Sequence, residues 1–176
     1  MGYNSGIKVF IFLFITKEKP TYCIIFLNNL YLYREFECKK MRFDELDLED
    51  AVLDGLYDMN FDETTPVQEL TIPVILEGKD IIACAQTGTG KTAAYLLPAL
   101  QHLLDFPRKK SGPPRILILT PTRELAMQVA DHARELAKHT HLDIATITGG
   151  VAYMNHAEVF SENQDIVVAT TGRLLQ

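Results

Sequence analysis

Residues 85–92 read AQTGTGKT and follow the apolar run Ile81-Ile82-Ala83-Cys84. Two glycines and three threonines surround a single lysine, a permissive backbone beside one fixed positive charge. Such a combination suits a polyanion. Gly88 and Gly90 can take positive φ without a Cβ penalty, so successive N–H groups can turn inward as a nest for phosphate oxygens. A helix that starts near Lys91 adds its free N–H groups and the positive end of its dipole. Lys91 then reaches the β- and γ-phosphates, and the Thr92 hydroxyl is placed to hold a magnesium ion. The pattern G-x-x-x-x-G-K-[ST] is met except at its first position, which is Ala85. Ala85, Gln86, Thr87, Gly88, Thr89, Gly90, Lys91 and Thr92 are thus the expected phosphate-binding set.

Outward from this loop the chain alternates between short apolar runs and amphipathic stretches. Upstream, Leu48, Val52, Leu53 and Leu56 fall on one helical face with acidic residues opposite, and TPVQELTIPVILEG gives a second helix closed by Gly78. Downstream come a helix over about 91–104, the loop DFPRKKSGPP, and the strand RILILT. A helix over about 123–138, the strand IATIT ending at Gly149-Gly150, a short helix near 153–160 and the strand DIVVAT follow. Continuous apolar strands alternating with helices predict an α/β fold, a parallel sheet covered by helices on both faces. Ligands of such sheets bind at the carboxyl ends of the strands, where every glycine- or threonine-rich turn of this chain lies.

The chain of 176 residues is 47% hydrophobic and 23% charged, an ordinary globular mixture. Cys23, Cys38 and Cys84 lack metal-type spacing, which favours a reducing cytoplasm over a disulfide-bonded setting. His139 and His141 have no second ligand pair at useful spacing, so a zinc site is not expected. The net charge of −6 is unevenly spread: residues 41–80 carry two basic and twelve acidic side chains, residues 81–176 nine basic and eight acidic. Contact with nucleic acid is therefore expected to be local to the last part. Residues 1–40 stand apart, with aromatic apolar runs too short for the ~20 residues that span a bilayer. They read as an unstructured or spurious leader, with a membrane-associating or core-covering segment as the alternative.

Several motifs in order give the chain from 41 to 176 a resemblance to the DEAD-box RNA helicases, in their first RecA-like domain. NFDETTPVQ (60–68) resembles the Q motif, with Asn60 where glycine and Thr64 where proline are usual. The resemblance implies that Thr65 and Gln68 serve the nucleotide site, that the Gln68 amide meets the adenine edge and that Phe43 stacks on the ring. In this family the phosphate loop often begins with Ala, as here at Ala85. PTRELA (121–126) resembles motif Ia, Gly149-Gly150 the GG motif, and TTGR (170–173) motif Ib, with Thr171 where proline is usual. Pro121, Thr122, Arg123, Glu124, Gly149, Gly150, Thr170, Thr171, Gly172 and Arg173 are thereby implied to grip an RNA backbone, without reading sequence.

The expected organisation is a leader (1–40), a Q-motif region (41–69) and a partial RecA-like phosphate-loop NTPase domain (70–176). The resemblance implies ATP and Mg2+ as cofactors, ribosome-assembly intermediates among the RNA partners, and no membrane. Residues 41–91 and 92–176 resemble two different branches of the family, and the charge break falls close to that join, which suggests a composite coding sequence. The sequence D-E-A-D does not occur in these 176 residues. The expectation is a fragment that binds nucleotide without completing hydrolysis or unwinding, with a non-catalytic nucleotide- or RNA-binding module or a truncated product as the alternative. Oligomeric state is not legible.

Overall fold

The computed structural model describes residues 23–25, 41–85, 87–149 and 163–174. In chain order the elements are β1 (Cys23–Ile25), a 3-10 turn (Phe43–Glu45), α1 (Asp50–Asp58), α2 (Pro66–Leu76), β2 (Ile82–Cys84) and α3 (Lys91–Asp105). Then come β3 (Ile116–Thr120), α4 (Arg123–Leu136), β4 (Ile144–Ile147), β5 (Ile166–Thr170) and α5 (Thr171–Leu174). The chain forms two compact units, one of Met1–Leu48 with Phe61–Pro98, the other of Glu49–Asn60 with Ala99–Gln176.

In the first unit, α2 starts with Pro66 at its first turn, where the missing N–H costs nothing. It buries Val67, Ile72 and Ile75 and is closed by Gly78 at φ +76. The stretch before it is fixed by 41–43: Arg42 and Glu63 form an antiparallel bridge. Met41 O accepts both the Thr64 N–H at 2.8 Å and the Thr64 hydroxyl at 2.9 Å. A proline at 64 has no N–H to give to that bond.

The leader reads as unstructured or spurious, with a core-covering segment as the alternative; within it Cys23–Ile25 form β1, which pairs antiparallel with β2, Ile24 opposite Ala83. An edge strand offers unpaired N–H and C=O groups to any β-prone segment, and the run around Cys23–Ile25 is one. The rest of 1–40 lies outside the described residues.

The second unit is built on a parallel sheet of order β3-β5-β4. Central β5 buries Ile166, Val167, Val168 and Ala169, as a strand covered on both faces must. Helix α4 buries Ala126, Val129, Ala130, Ala133 and Leu136, spacings of three and four residues that make one stripe. Edge strand β3 differs from the fully covered strand expected, because Leu117 and Leu119 are each 48% exposed on the sheet edge. The short helix expected near 153–160 lies outside the described residues.

Helix α1 is held at both ends. Its preceding N–H, that of Glu49, donates to Gln101 Oε1 at 2.6 Å. Gly55 lies so close to α4 that a Cβ there would collide with the Leu136 carbonyl oxygen. Beyond it, Asp58 takes a hydrogen bond from Lys138 Nζ at 2.6 Å and lies 2.9 Å from His139 Nε2. These two partners hold the Asp58 carboxyl below the usual carboxylate range. At the amino ends of the strands, buried Asp165 accepts from Arg115 at 2.7 and 3.2 Å and from the Asp143 N–H at 3.2 Å. Arg108 stands 3.6 Å away and ties the loop to Gln164 O at 3.0 Å.

Candidate functional site

The phosphate loop lies in the first unit, between β2 and α3. Gly88 has φ +80 and Gly90 φ +85, the left-handed backbone that only glycine adopts freely. Ala85 has no positive φ, so alanine fits the place where the general pattern has glycine. A Cβ on Gly88 would meet nothing within 4 Å, so the loop is open above it. Helix α3 begins at Lys91, whose amine donates to the Ala85 carbonyl across the loop. Thr87 is exposed, Thr89 and Thr92 are half-buried, and Gln86 lies outside the described residues.

The Q-motif residues converge on this loop. Gln68, 3% exposed, accepts the Thr65 N–H on Oε1 at 2.9 Å and donates from Nε2 to the Gly90 carbonyl at 3.0 Å. One amide N–H and one lone pair remain for a ligand. A Cβ on Gly90 would collide with Gln68 Nε2 and stand 3.1 Å from Thr65 Oγ1. The Thr65 hydroxyl oxygen is buried there with no hydrogen-bond partner among the described residues. Asn60, where the family has glycine, sits at φ +58, a conformation Asn tolerates better than most residues. Phe43 is brought beside the motif by its N–H to Asp62 O at 3.4 Å, but its ring is 1% exposed and offers no open face.

These residues fit a polyphosphate: a glycine nest, a helix amino end and a lysine meet around an open loop. For a magnesium ion, Thr92 supplies one hydroxyl. No group of three His, Cys, Asp or Glu side chains suited to a metal occurs among the described residues.

In the second unit the three carboxyl ends of the parallel strands lie side by side. Thr120 of β3 registers with Thr170 of β5, and Ala169 with Ile147 of β4. The Thr120 hydroxyl lies 3.1 Å from Thr122 O and 3.4 Å from Ala169 O, so its one proton is shared between these two acceptors. Thr122 caps α4 by accepting the Leu125 N–H at 3.2 Å. Pro121, Thr122, Arg123 and Glu124 are exposed, as are Gly149, Thr171 and Gly172; Arg173 and Thr170 are half-buried. Gly150 lies outside the described residues. The sheet order thus gathers the turns after β3, β5 and β4 along one edge.

The profile of the DEAD/DEAH box helicases matches residues 65–176. The chain belongs to that family. Among known relatives, the DEAD-box member SrmB, an ATP-dependent RNA helicase of Escherichia coli (strain K12), is 78% identical over 134 residues, covering 76% of this chain and 30% of its own length. The Haemophilus influenzae SrmB is 62% identical over 135 residues, 77% of this chain and 31% of its own. The crystal structure of a DEAD box protein from Methanococcus jannaschii superposes with a TM-score of 0.66 at 35% identity, covering 77% of this chain and 36% of that one. The chain therefore spans about a third of the length of these DEAD-box relatives. The 134-residue SrmB match is longer than 92–176, so likeness to it extends into 41–91 as well.

Two features of this site are not legible in the sequence. The bond from Gln68 to Gly90 spans 22 residues of sequence, and no spacing rule announces it. Tyr95, one turn into α3, is buried, and its phenol is pushed up to about 12 by desolvation against an opposing hydrogen bond with Thr92. An aromatic residue in an apolar helix reads as core, and only its oxygen distinguishes it.

Proposed function

We propose that these residues form the nucleotide-holding part of an ATP-dependent RNA helicase. The observation that carries the reading is the loop geometry: Gly88 and Gly90 at positive φ, Lys91 opening α3, and Gln68 bound to Gly90. In this reading backbone N–H groups of 87–91 and Lys91 hold the phosphates. Thr92 takes one side of a magnesium ion, and Gln68 with Thr65 serves the adenine, while the buried Phe43 packs behind the motif. Phosphoryl transfer also needs a group to orient water and a cation at the developing charge, and neither role is given to a residue of this site.

The RNA track proposed is the edge formed by Pro121–Glu124, Gly149-Gly150 and Thr170–Arg173. Exposed N–H groups at the α4 start, together with Arg123 and Arg173, suit phosphate contacts. We extend the proposal to ribosome-assembly intermediates as the RNA partners and to a cytoplasmic location, which the cysteine usage supports. Among the described residues no helix is long and apolar enough to cross a membrane.

Titration with a fluorescent adenine nucleotide, with and without Mg2+ and with GTP as competitor, tests the reading. ATP should displace the probe better than GTP; equal displacement would remove the role given to Gln68. RNA affinity should fall with salt, as phosphate contacts do. The second reading, a non-catalytic binding module, is separated by turnover: RNA-stimulated ATP hydrolysis abolished by Lys91→Ala would exclude it.

A further inference from the structure

Cys23 and Cys84 stand directly opposite one another in the antiparallel pair of β1 and β2. The register that sets Ile24 across from Ala83 and Ile25 across from Ile82 brings these two cysteines together from distant parts of the sequence. Directly opposed residues of an antiparallel pair have Cα atoms about 4.5–5.5 Å apart and share one face of the pair. Disulfides bridge Cα separations of about 4.4–6.8 Å. The third cysteine, Cys38, lies outside the described residues.

Cys84 is followed at once by Ala85, which opens the phosphate loop and whose carbonyl accepts the Lys91 amine. A bond at this position fastens the leader strand beside that loop, whatever the loop binds. Strand β1 has three residues, and so short an edge pairing is weak by itself. A covalent link holds it by removing freedom from the open chain. Where thiols are kept reduced, such a pair is transient and redox-sensing, not a permanent staple.

We propose that Cys23 and Cys84 are a redox-sensitive pair, oxidised by a low-molecular-weight disulfide to a Cys23–Cys84 bond that fastens β1 to β2. One protein thiolate attacks a sulfur of the small disulfide, whose S–S bond breaks and releases one small thiolate. The second protein thiolate attacks the mixed disulfide at the protein sulfur, forming the Cys23–Cys84 bond and expelling the other small thiolate. Two electrons pass from the cysteines to the small disulfide, and the two thiol protons end on the small thiols released.

The test is oxidation of the dilute 176-residue chain by oxidised glutathione at about pH 8, near the ordinary thiol value. The products are alkylated, digested with trypsin and mapped by mass spectrometry. Trypsin places the three cysteines on separate peptides, 18–34, 35–39 and 80–91. In a chain without structure the nearer pair closes first. Cys38 is about four times closer to Cys23 than Cys84 is, which favours the 23–38 loop by about eightfold. The folded chain should show the reverse, with 18–34 joined to 80–91 as the main product within one chain. Oxidation in urea should return the main product to 18–34 joined to 35–39. Cys38→Ser should leave the native product in place, and dithiothreitol should remove it. Absence of the 23–84 bond from the folded chain, its appearance only in covalent dimers, or a 23–38 bond as the main product there would overturn the proposal. So would a 23–84 yield in the folded Cys38→Ser chain no higher than in urea, the mark of chance collision.

Discussion

Gln68 Nε2 donates to the carbonyl of Gly90 at 3.0 Å, joining the turn before α2 to the loop before α3. A buried amide with both ends engaged braces the phosphate loop from behind, whatever else its remaining N–H does. Gly90 matches it in shape, because its missing Cβ is the space the amide nitrogen occupies.

Gln68→Ala should therefore lower stability and nucleotide affinity together. It leaves the Thr65 N–H and the Gly90 carbonyl without their partner, at about 1–3 kcal/mol. Gly90→Ala should be worse, since it adds the collision to a φ of +85 that alanine resists. Combining the two removes the collision and leaves the φ strain, so the double variant should recover part of the loss. Thermal melts and nucleotide titrations of the four chains check this; strict additivity would show that the contact is not the cause.

Lys91→Ala should separate phosphate from base. The amine lies across the loop on the Ala85 carbonyl, next in sequence to Gly90. Triphosphate affinity should drop tenfold or more, since charge-assisted bonds are worth about 1.5–3 kcal/mol, while adenosine affinity stays within about twofold. A parallel drop for both ligands would place Lys91 in the fold and not at the phosphates.

Local signals carried most of this fold. The glycine and threonine turns, the proline at the start of α2 and the apolar run of β5 each dictate their own backbone, and all lie where the pattern put them. Asn60 shows how fine this reaches: a departure from the family's glycine still falls on a residue that accepts positive φ. What sequence concealed are bonds between distant residues. Arg115 and Asp165 meet across 50 positions and Gln68 and Gly90 across 22, and nothing in either neighbourhood marks its partner. The β1–β2 pairing escaped for a related reason, because any β-prone segment satisfies an open edge equally well.

Asp165→Ala should destabilise the second unit while sparing nucleotide binding. Asp165 is 6% exposed and collects Arg115, the Asp143 N–H and, at 3.6 Å, Arg108. Removing one member of a buried ion pair leaves uncompensated charge, a loss on the order of 3 kcal/mol. The denaturation midpoint should fall accordingly. A chain of unchanged midpoint would mean that solvent screens the cluster far more than its burial implies.

Acid sensitivity should begin near neutrality and trace to two histidines. His102 is held below the ordinary histidine value by burial first and then by the positive charge of Arg115, with Asp105 opposing; His132 is lowered by burial. A folded value below the ordinary 6.5 means that the unfolded chain takes up more protons as pH falls through that point. The stability linked to these groups is thus complete above about 6.5 and is lost as pH falls from there toward the folded values. Asp44 and Asp58 act in a different window: both are lowered by their basic partners, and what they contribute is lost only as pH falls below 3.8. Urea midpoints measured between roughly pH 5 and 7.5 isolate the histidines. His102→Gln combined with His132→Gln should flatten the decline over that range. Parallel curves for the two chains would assign the acid sensitivity to other groups.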